Sequence, residues 1–234
     1  MAPRIHPTAT VHPSAILEGD IEVGEGSSIG PFTYITGAVR IGARTKIYPH
    51  VVIGCEGEHK TRAPAGEILI GDDVIIRELV VIQRGTGDRL TEVRNGCYVM
   101  DHCHIAHDVL VHEEVTMSPN VVLGGHSIVH RGATVGISAV THQFSTVGAY
   151  TMIGMCAVVT KDVPPFALVA GNPARFRRLN TYGVKRAGVS EDALKIENAE
   201  LTTSDPSAQA LIDAWKKDVR RKILPLVPSG SKED

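Results

Sequence analysis

Residues 105–135 read IAHDVLVHEEVTMSPNVVLGGHSIVHRGATV, and a large apolar side chain returns at every sixth position. The residues at these positions are Ile105, Val111, Met117, Leu123, Val129 and Val135. A period of six is a multiple of the two-residue repeat of a β-strand and does not match the 3.6-residue repeat of an α-helix. The stretch therefore predicts short strands separated by regular turns.

The same period runs through most of the chain, from Ile5 to Val159, with interruptions at 54–67 and 87–92. The fifth residue of each hexad is small or β-branched, and the second is often glycine, as at Gly124. This pattern is typical of a parallel β-helix, whose first and fifth residues point inward. We expect the second-position glycines to supply turns with positive φ. The sequence thus predicts a β-helix over residues 1–170, with loops inserted at the two interruptions.

Residues 171–234 lack the repeat. Pro164, Pro165 and Pro173 mark the boundary at which the β-helix is expected to end. The segment SEDALKIENAEL (190–201) is interpreted as a helix with Ser190 as its N-cap. The segment SDPSAQALIDAWKKDVRRKIL (204–224) is interpreted as a second, amphipathic helix that starts at Asp205. We therefore expect an all-β domain followed by a small α-helical extension.

Composition narrows the function classes. The net charge is −2, and the basic residues form no long run before Lys216–Lys222, where they are mixed with apolar positions, which argues against nucleic-acid binding. The four cysteines have no CxxC spacing, so a zinc knuckle or a disulfide framework is not expected. No N-terminal stretch resembles a signal peptide and no segment approaches a membrane span, which predicts a cytoplasmic protein.

Histidines recur at one angular position of the expected β-helix. If three hexads make one coil, residues eighteen apart stack about 4.8 Å from each other. The stretches HIAHD (104–108), LGGHS (123–127) and THQFS (141–145) then form one vertical stripe. The polar residues of the stripe are His104, His107, Asp108, His126, His142 and Gln143, with Gly125 between His107 and Gln143. This recurrence predicts a groove lined by polar side chains that could bind a ligand or take part in catalysis.

Three interpretations of the stripe compete. It could be a ladder of polar surface residues. It could bind zinc through three or four converging ligands, as the related gamma-class carbonic anhydrases do. It could also perform acid–base chemistry, in which a neutral imidazole takes a proton, a carboxylate orients it, and a backbone amide of the Gly124–Gly125 pair stabilises an oxyanion. The stripe contains no Ser or Cys suited to act as nucleophile, which favours direct transfer without a covalent intermediate.

The hexad repeat resembles that of the hexapeptide-repeat acyltransferases, which implies a left-handed β-helix and a homotrimer with active sites between subunits. More specifically, HIAHD, LGGHS, THQFSTVGAYTMIG, KDVPPF and NTYGVKRAG, in this order, resemble the UDP-N-acetylglucosamine O-acyltransferases of lipid A biosynthesis. This resemblance covers roughly residues 1–190. It implies a transferase that takes a 3-hydroxyacyl group from acyl carrier protein and needs neither a metal nor a nicotinamide cofactor.

The resemblance also implies residue roles. His107 would be the general base, Asp108 its orienting partner, and the Gly125 amide the oxyanion donor. The substrate-binding residues implied are His104, His126, His142, Gln143, Asn180 and Arg186, with Glu58, His59 and Lys60 as candidates in the inserted loop. Arg175, Arg177, Arg178 and Lys185 would form a basic surface for the acidic carrier protein.

Met155 matches the position that limits the acyl chain in this family, where glycine allows longer chains. Its bulky thioether predicts a medium-length donor of about ten carbons.

The residues are also compatible with two other activities. One is N-acylation of an amino-sugar nucleotide or another amine, with coenzyme A or carrier protein as donor. The other is a metal-dependent enzyme of the carbonic anhydrase type.

Overall fold

The computed structural model describes residues 2–58, 60–61 and 65–227, which fold into a β-helix with three faces. The first face comprises the strands β7 (Val52–Cys55), β10 (Val81–Gln83), β13 (His104–Ile105), β16 (Val122–Leu123), β19 (Val140–Thr141) and β22 (Val158–Val159). The second comprises β1 (Arg4–Ile5), β8 (Glu67–Ile70), β11 (Leu90–Val93), β14 (Leu110–Val111), β17 (Ile128–Val129) and β20 (Thr146–Val147). The long strands β3 (Ile16–Val23) and β5 (Tyr34–Ile41) continue from the first face into the second.

The third face is a separate ten-stranded sheet. It comprises β2 (Thr10–Val11), β4 (Ser28–Ile29), β6 (Lys46–Ile47), β9 (Ile75–Ile76), β12 (Tyr98–Val99), β15 (Thr116–Met117), β18 (Thr134–Val135), β21 (Met152–Ile153), β23 (Ala167–Ala170) and β24 (Arg175–Leu179). All pairings in it are parallel except that of β23 with β24.

The eighteen-residue coil is confirmed by the strand register. His104 pairs with Val122, and Val122 pairs with Val140, each time in parallel. The fold is the left-handed parallel β-helix expected from the sequence. Because successive coils repeat without lateral offset, every angular position of one coil lies directly over the same position of the next.

The interior is filled by the first and fifth residues of the hexads. Ile105, Val109 and Leu123 are fully buried, as are most of their counterparts in other coils. The first coil is the exception: Ile5 is 43 % exposed, and Val11 and Leu17 are only partly buried, because no preceding coil covers them. Burial of a full aliphatic side chain contributes about 1.5–3 kcal/mol, so stacked coils supply most of the stability.

The role expected for the second-position glycines is wrong. Positive φ occurs at the fourth residue of the hexads, for example at Asp108, His126 and Phe144. Gly124 is required for a different reason: a Cβ there would lie 2.6 Å from the backbone nitrogen of Gln143 in the next coil. The glycine therefore permits close approach of two coils and does not supply the turn.

Two insertions leave the β-helix near the positions expected. The first connects β7 to β8 over residues 56–66, and the second connects β10 to β11 over residues 84–89. The first is shorter at both ends than the expected interruption 54–67. The second is as long as the expected interruption 87–92 but lies three residues earlier, because residues from Leu90 onward already pair with β8: Leu90 pairs with Glu67. Both insertions leave the β-helix at the end of a first-face strand.

The extension contains more β-structure than expected. The sheet continues past residue 170 into β24. The helix expected over 190–201 is wrong: a short 3-10 helix (Glu191–Ala193) leads into an antiparallel hairpin of β25 (Leu194–Glu197) and β26 (Glu200–Thr203). Asn198 and Ala199 both have positive φ, which is the geometry of a tight two-residue hairpin turn.

The described part of the extension contains two α-helices, α1 (Thr181–Arg186) and α2 (Pro206–Asp218). The expected start of α2 is confirmed, because the Asp205 carboxylate accepts hydrogen bonds from the amides of Ser207 and Ala208. Its end is earlier than the expected residue 224. Residues 219–227, here called the strap, leave the helix and return to the β-helix. Among the described residues, no helix is long and apolar enough to cross a membrane.

Candidate active site

His107 and Asp108 occupy a turn between the first and second faces. Asp108 has a φ of 61°, which turns its carboxylate back toward the preceding imidazole. As a result, Nδ1 of His107 lies 2.8 Å from Oδ2 of Asp108. The two side chains are 10 % and 3 % exposed, so the pair is shielded from water.

The Asp108 carboxylate accepts three hydrogen bonds. Thr86 donates to it twice, through its backbone amide to Oδ1 and its hydroxyl to Oδ2, both at 2.8 Å. Burial by itself would raise the pKa of Asp108, but the hydrogen bonds from Thr86 and His107 outweigh it and lower that pKa. An ionised carboxylate only accepts hydrogen bonds, so Nδ1 of neutral His107 carries the proton and Nε2 keeps its lone pair.

Gly125 lies directly over the His107 ring. A Cβ at residue 125 would lie 2.8 Å from Cε1 and 2.9 Å from Nε2 of His107, so only glycine fits over the unmoved imidazole. Within the described chain, the Gly125 amide has no hydrogen-bond acceptor. The amide of Gly124, in contrast, donates to the Thr141 carbonyl at 3.1 Å. Of the expected glycine pair, therefore, Gly125 alone offers an amide beside the imidazole.

His126 and His104 flank the pair. His126 packs edge-on against His107 at 5.1 Å between ring centroids and stacks on Phe144 at 4.4 Å. Its Nε2 lies 3.4 Å from Oδ2 of Asp108. His104 is half-buried at the start of β13, and burial lowers its pKa, partly offset by the charge of Glu58. His104 therefore presents a neutral imidazole at neutral pH.

His142 and Gln143 are exposed on the next coil and contact the strap. Arg221 places Nη1 3.1 Å from Nδ1 of His142 and 3.2 Å from the carbonyl oxygen of Gln143. The strap is held there by Asp162, whose Oδ2 accepts from the amides of Arg220 and Arg221 at 2.7 Å each. The extension thus places cationic side chains at the upper end of the stripe.

Sequence reasoning missed Thr86 and Gly57. Thr86 lies in the second insertion and is almost fully buried against Asp108. Gly57 lies in the first insertion, where a Cβ would be 2.7 Å from Cβ of His107. The only sequence signal was the position of both insertions: the first begins two coils before HIAHD and the second one coil before it, each at the end of a first-face strand.

The structure does not bring Asn180 and Arg186 to the stripe within one chain. The Asn180 side chain donates to the Tyr150 carbonyl at 2.8 Å, and Arg186 donates to the Gly132 carbonyl and lies over the Tyr150 ring. Both therefore lie at the next turn around the β-helix. Lys60 is exposed in the first insertion, while the candidate His59 lies outside the described residues.

Met155 is 67 % exposed at the turn between the first and third faces. Its side chain is therefore not part of the core packing. This position leaves the thioether free to contact a molecule outside the chain, and its role in limiting the acyl chain stays a prediction.

The ring nitrogens of His107 and His126 and a carboxylate oxygen of Asp108 lie within 4.8 Å of one another, close enough to hold a metal ion. The carboxylate, however, already accepts two hydrogen bonds from Thr86 and one from His107. This hydrogen-bond pattern is typical of a catalytic base that is oriented by a carboxylate. It is less typical of an empty metal-binding site.

Comparisons with known proteins place the chain among acyltransferases. The sequence model described as "Udp N-acetylglucosamine O-acyltransferase; Domain 2" matches residues 162–216, and that of the bacterial transferase hexapeptide (six repeats) matches residues 20–55. LpxA from Acinetobacter baumannii has a similar structure, with a TM-score of 0.80 and 28 % identity over 94 % of this chain and 99 % of that one.

Two curated relatives are both named acyl-[acyl-carrier-protein]--UDP-N-acetylglucosamine O-acyltransferase. The one from Gloeothece citriformis is 40 % identical over 159 residues, covering 67 % of this chain but only 58 % of the relative. The one from Aliivibrio fischeri is 40 % identical over 205 residues, covering 79 % of this chain and 78 % of the relative. The chain therefore belongs to the UDP-N-acetylglucosamine O-acyltransferase family.

Proposed function

We propose that this protein transfers a 3-hydroxyacyl group of medium length from acyl carrier protein to a hydroxyl of UDP-N-acetylglucosamine. The observation that carries the proposal is the His107–Asp108 pair beneath the Gly125 amide, for which the described residues provide no acceptor. The named activity of the curated relatives supports the choice of donor and acceptor.

The geometry supports direct transfer. Nε2 of His107 takes the proton of the sugar hydroxyl as its oxygen attacks the thioester carbonyl carbon. The carbonyl oxygen becomes an oxyanion that accepts a hydrogen bond from the Gly125 amide. The intermediate then expels the carrier thiolate, which receives the proton from the His107 imidazolium, and the products are the acylated sugar nucleotide and the free carrier thiol.

Each neighbouring residue assists one part of this cycle. The ionised Asp108 stabilises the imidazolium and is held in place by Thr86. Neutral His104 and the stacked His126 line the site beside the base. We expect the transfer itself to require no metal or other cofactor.

We further propose that the protein works as a homotrimer. Asn180 and Arg186 contact Tyr150 and Gly132 at the turn that follows the stripe around the β-helix. A nucleotide bound to both sets of residues would therefore lie between two chains. The exposed arginines Arg175, Arg177 and Arg178 would provide the surface for the acidic carrier protein.

The proposal is tested by incubating the protein with UDP-N-acetylglucosamine and a series of 3-hydroxyacyl carrier proteins of graded chain length. We expect an acylated sugar nucleotide and a maximum at medium length. UDP-glucosamine and acyl-coenzyme A serve as alternative acceptor and donor. No product with the O-acceptor, or faster transfer to the amine, would reject the assignment.

Shared sites are tested separately by co-expressing a His107→Ala chain with an Arg186→Ala chain. If each site uses His107 from one chain and Arg186 from its neighbour, mixed assemblies regain activity that neither variant has alone. A mixture as inactive as the two separate variants would show that both residues serve the same chain's site.

A further inference from the structure

A second histidine cluster lies on the second face, away from the His107 pair. His112 follows β14, His130 follows β17 one coil higher, and Asp218 is the last residue of α2. The two imidazoles stack at 4.7 Å between centroids with an angle of 9° between their planes. The proposed acyl transfer uses none of these three residues.

The polar atoms of the cluster converge. One ring nitrogen from each histidine and one carboxylate oxygen of Asp218 lie within 4.8 Å of one another. Nε2 of His130 lies 3.2 Å from Oδ2 of Asp218. The side chain of His130 is 6 % exposed, so this convergence takes place away from bulk water.

Within the described chain, Nε2 of His112 and Nε2 of His130 are buried and make no hydrogen bond. Oδ2 of Asp218 lies 3.2 Å from Nε2 of His130 without completing a hydrogen bond of normal geometry. A buried polar atom without a partner is destabilising, and most such atoms in proteins are satisfied. Two such atoms beside one carboxylate make this cluster a candidate site for a bound ion.

Two imidazole nitrogens and one carboxylate form the ligand set that zinc and related divalent transition metals prefer. A metal-bound imidazole usually donates its other N–H to a carboxylate. Oε2 of Glu113 lies 3.8 Å from Nδ1 of His112 and can fill this role. Arg94 donates to the same nitrogen at 3.1 Å, so metal binding through Nε2 would require this donor to move away from Nδ1; Arg94 also donates to Glu92 at 3.0 Å, which can retain it.

We propose that His112, His130 and Asp218 bind a divalent transition-metal ion, best zinc, that fastens α2 to the β-helix. Three protein ligands leave a fourth position for water. The ion would hold the end of α2, whose final carbonyl already accepts a hydrogen bond from the Thr146 hydroxyl at 2.8 Å. The strap that begins at the next residue would then be held at its origin.

The test is zinc binding to the full chain after treatment with a chelator, measured by calorimetry and by thermal unfolding. We expect one zinc ion per chain and a rise in Tm on its addition. Cobalt(II) in place of zinc should give the visible absorption of a four-coordinate site. His130→Asn and Asp218→Asn should abolish all three signals, and Glu113→Gln should weaken zinc binding by about 10–100-fold.

His107→Gln, in the other histidine cluster, is the matched control and should bind zinc as the unchanged chain does. Circular dichroism of each metal-free variant establishes that it is folded. The proposal is overturned if the folded chain binds no zinc at micromolar concentration, if binding survives Asp218→Asn, or if binding is lost in His107→Gln instead.

Discussion

His107 and Asp108 are neighbours in sequence, and their side chains are joined by a hydrogen bond of 2.8 Å between Nδ1 and Oδ2. Side chains of adjacent residues in a strand point to opposite faces, so this contact needs the φ of 61° at Asp108. The turn of the β-helix thus creates the pair, and the coil above places Gly125 over it.

Replacing His107 by alanine should lower kcat/KM by about 10²–10⁴-fold, because the base that accepts the hydroxyl proton is lost. The measurement is steady-state transfer to UDP-N-acetylglucosamine. His102→Ala is a matched control, since His102 also bonds its neighbour Asp101 through Nδ1 but is half exposed on another turn. Equal losses in both variants would contradict the role of His107.

Asp108 makes the stability depend on pH in the acid range. Its pKa is lowered in the folded state from about 3.9 in the unfolded chain, so the unfolded chain binds its proton first as the pH falls. The stabilisation is complete above about pH 4 and is lost as the pH falls through the lower, folded-state pKa. Urea unfolding at a series of pH values should show this loss, and Asp108→Asn should reduce it. The exposed Asp192→Asn should leave the profile unchanged; a profile that Asp108→Asn also left unchanged would refute the argument.

Gly124 and Gly125 should respond differently to substitution by alanine. At Gly125 the new methyl group displaces the His107 ring, so activity should fall while the fold persists. At Gly124 it meets the backbone of the next coil, so thermal stability should fall first. Tm and kcat measured on both variants separate the two effects. The same pattern in both would indicate that Gly125 has only a structural role.

Met155→Gly should shift the preferred donor to longer acyl chains. Each further buried methylene contributes about 0.8 kcal/mol, which corresponds to about a fourfold gain in kcat/KM. The measurement is competition between carrier proteins with chains of different length, and Met155→Leu should keep the original preference. An unchanged preference in Met155→Gly would show that the exposed thioether does not limit the chain.

Asp162→Ala should release the strap. The carboxylate accepts amides from Thr146, Arg220 and Arg221, and hydrogen bonds to a charged group contribute about 1.5–3 kcal/mol each. We expect a loss of about 3 kcal/mol or more in the free energy of unfolding. Amide hydrogen exchange at 220–224 should also become faster. Asp213→Asn on the exposed side of α2 is the control, and slow exchange in Asp162→Ala would contradict the anchoring role.

Part of the site could be predicted because it depends on the repeat. A strict six-residue period fixes the coil, and the coil fixes which residues stack, so His107, Gly125 and Gln143 could be aligned from sequence. The helix expected over 190–201 failed because KIENAEL fits both a helix and a hairpin. The structure has the hairpin, with positive φ at Asn198 and Ala199 in its turn and Leu201 buried against the core.

The six-residue period was enough to predict the β-helix, its register and the stripe, because such a period allows only one inward-facing set of residues. Only the tertiary structure showed that Thr86 holds Asp108, that Arg221 reaches His142, and that Asp218 joins His112 and His130. These contacts join residues from insertions and from the extension, whose paths follow no repeat. Their positions depend on hydrogen bonds and ion pairs between residues that are far apart in the sequence. The spacing of residues along the chain does not predict these contacts.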